Sequence, residues 1–505
     1  MDGNGGHPMV YGLDSVHGAQ YVDHAVMFPQ QINSGTSFNR ELVRKMGYVT
    51  GRDTAAAGIT WVLGPIVDIS YDPLWTRTYE TFGENPYLTS ELGAAYIQGD
   101  DDLLNYHVPS FKADIEHGAM STMENYISIN GIPVVPSTKI LNHLLRDDLD
   151  FDVVVVTDWG EVNNLQSWHR VVSTQQDAVE LVIANTSLDM SMVPNSENFI
   201  DQAKYVLSSN PDYEGRLPAS AKRIVKMKLQ MGLYENPVPG EDNVDLAGSD
   251  SDLEEALNLA RESIVLLKND ENIFTLTNGT SVFLTGFSVD DIGYQCGGWS
   301  IYWQGTSGND FFAHGTSVRR VGDIDELTLP SGQLEYVQAL ANTGSKVVLI
   351  LFEGRPRLLG SLPDSVSAGL PCEQGGQAMA EIAWPPCSQF GQVNPRGKPP
   401  ITYPKYSGHI MIPYRHRVDT QCSYGSCEMQ WDFGAGLSYT NFSYSDLKLS
   451  PTKIASKDDT ITTSVTVTNS GTMAGKETVM LFMIQPYRAI SVPEVKMLRK
   501  FEKVD

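Results

Sequence analysis

The chain has 505 residues, and 36 Lys+Arg against 61 Asp+Glu give a formal charge of −25, which repels a polyanion and excludes nucleic acid as a partner. With 41% hydrophobic and 19% charged residues the composition is globular, and at roughly 150 residues per domain the length suits two to four domains. The longest apolar runs, residues 153–156 and 347–352, are strand-sized, far short of the roughly 18 residues of a membrane span, so no membrane partner is expected.

From residue 11 to about 233, short β-rich runs alternate with helical patterns, which predicts parallel strands joined by crossover helices. Strands are expected at residues 59–63, 118–126, 153–157 and 188–192. Helices fit between them: Leu42, Met46 and Val49 share one face, as do Ile224, Met227 and Met231. So long an alternation favours a closed barrel over an open sheet, with functional groups at the carboxyl ends of its strands. Glu235-Asn-Pro-Val-Pro-Gly-Glu-Asp-Asn neither extends a helix nor joins a sheet and reads as a linker. A helix over 257–267, strands at 282–285 and 346–352, and a Pro/Gly-rich stretch from Pro385 to Pro404 then suggest a second α/β domain. From Tyr439 the pattern becomes the alternation of residues 460–468, then Asn469-Ser-Gly and residues 478–483, which predicts about four antiparallel strands of an incomplete β-sandwich. The expected divisions are residues 1–235, a linker over 236–257, then 258–410 and 430–505.

Five cysteines are too few for a disulfide scaffold. Cys422 and Cys427 bracket the loop Ser-Tyr-Gly-Ser, which either closes into a small disulfide or leaves two thiols. No second Cys or His pair stands at zinc-ligand spacing, so neither a metal nor a cofactor is expected. Asn185, Asn278 and Asn441 head Asn-x-Ser/Thr triplets, a pattern that chance also produces. The opening Met-Asp-Gly-Asn-Gly-Gly-His-Pro has neither the basic nor the apolar stretch of a signal peptide.

Val153-Val-Val-Val-Thr-Asp-Trp-Gly puts Asp158 at the end of a buried strand, where a carboxylate is costly without a purpose. Either it is catalytic or it caps a helix beginning near Glu161. The surrounding motifs bear on the choice: Tyr11-Gly-Leu-Asp-Ser-Val-His-Gly, Asp72-Pro-Leu-Trp-Thr-Arg-Thr-Tyr-Glu-Thr-Phe-Gly-Glu-Asn-Pro, Asn125-Tyr-Ile-Ser-Ile-Asn-Gly and Cys296-Gly-Gly-Trp-Ser-Ile-Tyr-Trp-Gln-Gly. Ala260-Arg-Glu-Ser-Ile-Val-Leu-Leu-Lys-Asn, Glu373-Gln-Gly-Gly-Gln-Ala and Phe433-Gly-Ala-Gly-Leu-Ser-Tyr extend the series. In this order they resemble glycoside hydrolase family 3, the β-glucosidase-like exo-acting enzymes.

The resemblance implies a TIM-barrel-like first domain, an α/β sandwich second and a fibronectin type III-like third. It also implies a retaining hydrolase, secreted to the extracellular space, that releases terminal β-D-glucose from small β-glucosides or short β-glucans. By motif position Asp158 matches the catalytic nucleophile, Asp14 a ligand of the sugar hydroxyls, Arg77 and Glu80 the floor of that subsite, and Tyr126 the nucleophile's neighbour. Trp159 with Trp303, or Trp299, matches the aromatic clamp on the next sugar, while His17 suits a structural role.

Two features depart from the family. Arg319 stands where the acid/base glutamate belongs, and Asp323, Asp325 and Glu326 match the loop that follows it, so the acid/base is unassigned. A barrel strand with a sugar-binding Lys-His pair is missing between the helix near 92–99 and the segment from Asn105, where only Asp100-Asp-Asp-Leu-Leu intervenes. The alternative is therefore a catalytically impaired glycan-binding relative that lacks both parts.

Overall fold

Short parallel strands organise the first half of the chain, because runs such as Val154-Val-Val are β-branched and apolar on both faces and need cover on both. In chain order these elements are β1 (Gly12–Leu13), β2 (Trp61–Val62), β3 (Ser121–Met123), a small hairpin of β4 (Ser128–Ile129) with β5 (Ile132–Pro133), and β6 (Val154–Val156). β1 runs parallel to β2, and β3 parallel to β6 with Met123 opposite Val156. Val156 bridges on to Met190, again in parallel. The Trp61 indole N–H donates to Ser121 Oγ at 2.8 Å and ties β2 to β3. The strands expected at 59–63, 118–126, 153–157 and 188–192 are thus present but cut to three residues or fewer, and among the described residues they pair locally without closing a ring.

The computed structural model describes residues 5–97, 108–193, 196–269, 273–274, 276–277, 279–300, 302–308, 326–360, 362, 366–368, 375–383, 393–420, 427–453, 456, 459–488 and 491–505. Cys422, Asn278 and most of residues 385–404 ahead of Val393 lie outside them; Cys427 is disulfide-bonded, and Asn441 is exposed.

Helices cover the strands as their apolar faces dictate. Helix Arg40–Ala56 opens on Asn39, whose side chain accepts the Glu41 and Leu42 N–H groups, and buries Leu42, Met46 and Val49 on the predicted face. Helix Arg216–Gln230 buries Met227 against the β6 core, which also holds Val162, Leu165, Val179 and Val182. Beneath β6, Asp189 is fully buried and makes ion pairs with Arg146 at 2.9 Å and Arg223 at 2.7 Å. It also accepts the Val155 N–H at 3.0 Å, so the strand is pinned at its middle.

In the second half, the helix expected over 257–267 spans Asp250–Ser263 instead. Ser249 caps its start by accepting the Asp252 N–H, and at Ile264 the backbone turns extended to begin β7 (Val265–Leu266), because Ile-Val-Leu-Leu suits a buried strand. The strand expected at 346–352 is β8 (Leu349–Leu351), which lies parallel to β9 (Val366–Ala368), while β7 pairs antiparallel on the other side of β9. The strand expected at 282–285 does not form: Phe283 and Leu284 are exposed, with no pairing strand among the described residues.

The last module has four strands in two antiparallel pairs, β10 (Phe442–Ser450) with β11 (Thr462–Asn469) and β12 (Glu477–Met483) with β13 (Met497–Val504). β13 packs Leu498 and Phe501 onto Phe38, Leu88 and Leu92, so the end of the chain buttresses the helices behind the first strands. Among the described residues no helix is long and apolar enough to cross a membrane.

Replacing Asp189 by Asn should cost about 3–5 kcal/mol, because two buried guanidinium groups lose their counter-charge. Denaturant unfolding reads this directly, and an unchanged midpoint would contradict it.

Candidate active site

Four carboxylates lie just past the carboxyl ends of the parallel strands: Asp14 after β1, Asp68 beyond β2, Glu124 after β3 and Asp158 two residues past β6. One guanidinium serves three of them, Asp14, Asp68 and Asp158. Arg77 forks onto fully buried Glu80, with Nε at 2.9 Å from both oxygens and an Nη at 2.7 Å from Oε2. Burial opposes the Arg77 charge, yet Glu80, Asp158 and Asp68 together hold its pKa above the ordinary value. Asp14 is pushed by burial up to about 6, with Arg77 pulling it down and the Asp158 and Glu80 charges pushing it further. Burial also raises Asp68, against the pull of Arg77.

Asp158 does not cap the helix that follows. The residue before helix Glu161–Ser167 is Gly160, in a left-handed conformation (φ 70°), and no side chain bonds there. The glycine is needed because the chain turns at once from strand to helix. An Asp158 carboxylate oxygen instead accepts the adjacent Trp159 N–H at 2.6 Å. The Tyr126 hydroxyl donates to Trp159 O at 2.8 Å, and burial together with the Asp158 charge raises its pKa.

Aromatic surface frames the carboxylates. Trp159 and Trp303 are each about half exposed, 56% and 48%, as a platform for a sugar face requires. Trp299 is buried behind Trp303, with ring centroids 6.4 Å apart, and holds φ 54°. Of the two partners expected for Trp159, Trp303 is therefore the one that offers a face to solvent. Trp168, which the sequence reading missed, is exposed beside Tyr126 with centroids 5.9 Å apart, and its ring stacks on His169, whose Nε2 lies 2.6 Å from the Glu161 carboxylate.

The segment around Cys296–Trp303 is fastened onto this rim. His17 is fully buried, with Nδ1 2.6 Å from Phe28 O, and Gln30 Nε2 donates to Cys296 O at 2.8 Å and Gly298 O at 2.6 Å while lying 3.1 Å from His17 Nε2. His17 Nε2 also lies 3.1 Å from Gly298 O, so the ring sits between carbonyls at both nitrogens, and burial lowers its pKa. A Cβ on Gly298 would sit 2.0 Å from the Tyr79 hydroxyl, so only glycine lets the Trp299 loop approach. Arg355 donates to Leu74 O at 2.7 Å and Thr76 O at 3.1 Å, which steadies the loop that carries Arg77.

The structure thus gathers Asp14, Arg77, Glu80, Tyr126, Asp158 and Trp159 in one electrostatically coupled site, with Trp303 and Trp299 on the adjoining segment. Asp68 and Glu124 join them. Glu124 falls inside the strand expected at 118–126 and Asp68 lies six residues past β2, so the strand-end pattern singled out neither. Arg319, Asp323, Asp325 and the region of the missing strand lie outside the described residues. Glu326 is exposed and bonded to Thr328, which holds its pKa below the usual carboxylate range, the reverse of what a proton donor needs.

The glycosyl hydrolase family 3 N-terminal domain matches residues 1–102 and 99–227, and the C-terminal domain of the same family matches residues 308–439. The two N-terminal matches meet where the sequence lacks its expected strand. A lysosomal β-glucosidase of Dictyostelium discoideum is 34% identical over 99% of this chain and 74% of its own length, across 617 aligned positions against 505 residues here, a difference of 112. A β-xylosidase of Formosa agariphila is 26% identical over 98% of this chain and 83% of its own. The crystal structure of a Listeria innocua β-glucosidase in complex with glucose superposes with a TM-score of 0.84 at 23% identity, covering 99% of this chain and 80% of that one.

The chain belongs to glycosyl hydrolase family 3. It is an α/β protein with the fold of that family, and the relatives carry internal segments that it lacks.

Because Asp14 holds its proton more tightly folded than unfolded, wild-type stability falls as pH rises from about 4 through 6. Asp14→Asn removes that fall, so its melting temperature relative to wild type should increase between pH 4 and pH 7. A difference independent of pH would contradict the assignment.

Proposed function

We propose that the chain is a retaining, exo-acting β-glucosidase that cleaves terminal β-D-glucose from β-glucosides or short β-glucans, with Asp158 as the nucleophile. The observation that carries this reading is the carboxylate of Asp158, free of any helix-cap duty, beside Arg77 and Asp14 at the strand ends. Asp158 would attack the anomeric carbon to form a glycosyl-enzyme, which water then hydrolyses. Asp14 and the Arg77–Glu80 fork would accept and donate hydrogen bonds to vicinal hydroxyls of the bound sugar. Tyr126 would steady the Asp158–Trp159 peptide, and Trp159 with Trp303 would stack on the leaving sugar.

The names of the relatives, β-glucosidase and β-xylosidase, support a hydrolase over a non-catalytic glycan binder. The site belongs to a TIM-barrel-like domain over residues 1–235, followed after the stretch 236–257, whose end already forms the start of helix Asp250–Ser263, by an α/β sandwich over 258–410 and a fibronectin type III-like module over 430–505. A lysosomal relative and the acidic pI near 4.7 favour an exported enzyme that works in a mildly acidic, extracellular or vesicular compartment.

An aryl β-glucoside with a good leaving group needs little help from an acid, so it reads the nucleophile alone. Asp158→Asn should lower aglycone release by about 10⁴-fold or more while glucose still binds. Turnover that survives the substitution would contradict the role given to Asp158. Product configuration checks the stereochemistry: proton NMR should show the β-anomer of glucose forming first, and an α-anomer would contradict a retaining mechanism.

A further inference from the structure

Directly behind the Asp158 peptide lies a second carboxyl that the proposed reaction does not use. Glu124 is 4% exposed, one residue past β3, and its own N–H donates to Val156 O at 3.0 Å, so the strand pairing fixes its place. Its Oε1 accepts the Asp158 N–H at 3.3 Å, while Oε2 is buried without a hydrogen-bond partner. Two residues on, Tyr126 holds Trp159 O. The segment from Glu124 to Tyr126 therefore grips the Asp158–Trp159 unit at both ends, its N–H from one side and its last carbonyl from the other.

We propose that Glu124 is the positioning residue that sets the Asp158 peptide, and that it does so in its neutral form. The inference rests on the role proposed for Asp158. A neutral acid fits because the titratable groups that face Glu124 are themselves acidic: Glu161 on the helix after Asp158, and Asp158 itself. His169 answers the Glu161 charge from its far side, and Arg77 answers Asp158 across the site, so neither neutralises Glu124. Burial, then the Glu161 charge, lifts the Glu124 pKa to about 9, in spite of the Asp158 N–H. A second negative charge there would press on Asp158 and Glu161 and loosen the peptide it holds. In the folded enzyme the neutral form persists past neutral pH and ionises near pH 9, while its contribution to stability, complete below about 4.5, is lost progressively as pH rises to about 9.

The experiment compares wild type, Glu124→Gln and Glu124→Ala in aglycone release from a dinitrophenyl β-glucoside and in thermal unfolding, both from pH 5 to pH 10. The amide of Gln accepts the same N–H and cannot ionise, so E124Q should keep the neutral-pH rate, lose the alkaline fall in kcat, and lose the decline in melting temperature between pH 5 and about 9 that Glu124 contributes. E124A should stay folded, with kcat down on the order of 100-fold and KM little changed, as a misplaced reacting group predicts. An alkaline fall in E124Q identical to that of wild type, or an E124A rate equal to wild type, would overturn the proposal. A wild-type chain that releases no aglycone sinks the Asp158 assignment instead. The melting curves then decide for Glu124: a wild-type melting temperature that falls relative to E124Q from pH 5 to about 9 supports it, and parallel curves overturn it.

Discussion

One guanidinium governs the centre of this molecule. Arg77 is the positive charge that Asp14, Asp68, Glu80 and Asp158 share, and partial burial keeps that attraction from being screened as it would be in bulk water. The arrangement is acidic beyond what one cation balances, which is why burial and mutual repulsion push Asp14 and Asp68 upward. Such a site suits a ligand that is neutral, rich in hydroxyl donors and able to bear positive charge as it reacts, and it repels anionic substrates.

The backbone supplies the geometry that Arg77 exploits. Parallel strands expose their carboxyl ends on one side, so residues distant in the chain converge without long loops. Asp189 pins β6 from beneath, Gly160 lets the chain leave Asp158 at once for a helix, and His17 with Gln30 draws the 296–298 segment to the rim. The C-terminal strands continue this scaffolding: Lys503 reaches the Ser37 and Arg396 carbonyls and lies 3.5 Å from Glu262.

Much of this was legible in the residues themselves. The Val-rich run ahead of Asp158 announced a buried strand, and the heptad-like spacing of Leu42, Met46 and Val49 announced a helix face, because both patterns reflect local burial. The resemblance to a known family supplied Asp14, Arg77, Glu80 and Tyr126. Glu124 and Asp68 escaped notice because their importance lies in what they face, Asp158 and Arg77, and linear sequence does not show it. Helix Asp250–Ser263 begins seven residues before the expected 257, because the Ser249 cap sets its start, and it stops short of the apolar run Ile264-Val-Leu-Leu, whose middle residues form β7. Residues 282–285 carry strand-like composition, yet a strand needs a partner, and pairing is a tertiary fact.

The account turns on a covalent bond between the Asp158 carboxylate and the anomeric carbon of a sugar. Incubation with an activated 2-deoxy-2-fluoro-β-glucoside, which slows breakdown of the glycosyl-enzyme, followed by proteolysis and mass spectrometry of the peptides, tests it most directly. The expected result is one added fluoroglucosyl group on the peptide Val153-Val-Val-Val-Thr-Asp-Trp, localised to Asp158. Label on any other residue, or an unlabelled enzyme that nonetheless hydrolyses the unfluorinated glucoside, would contradict it.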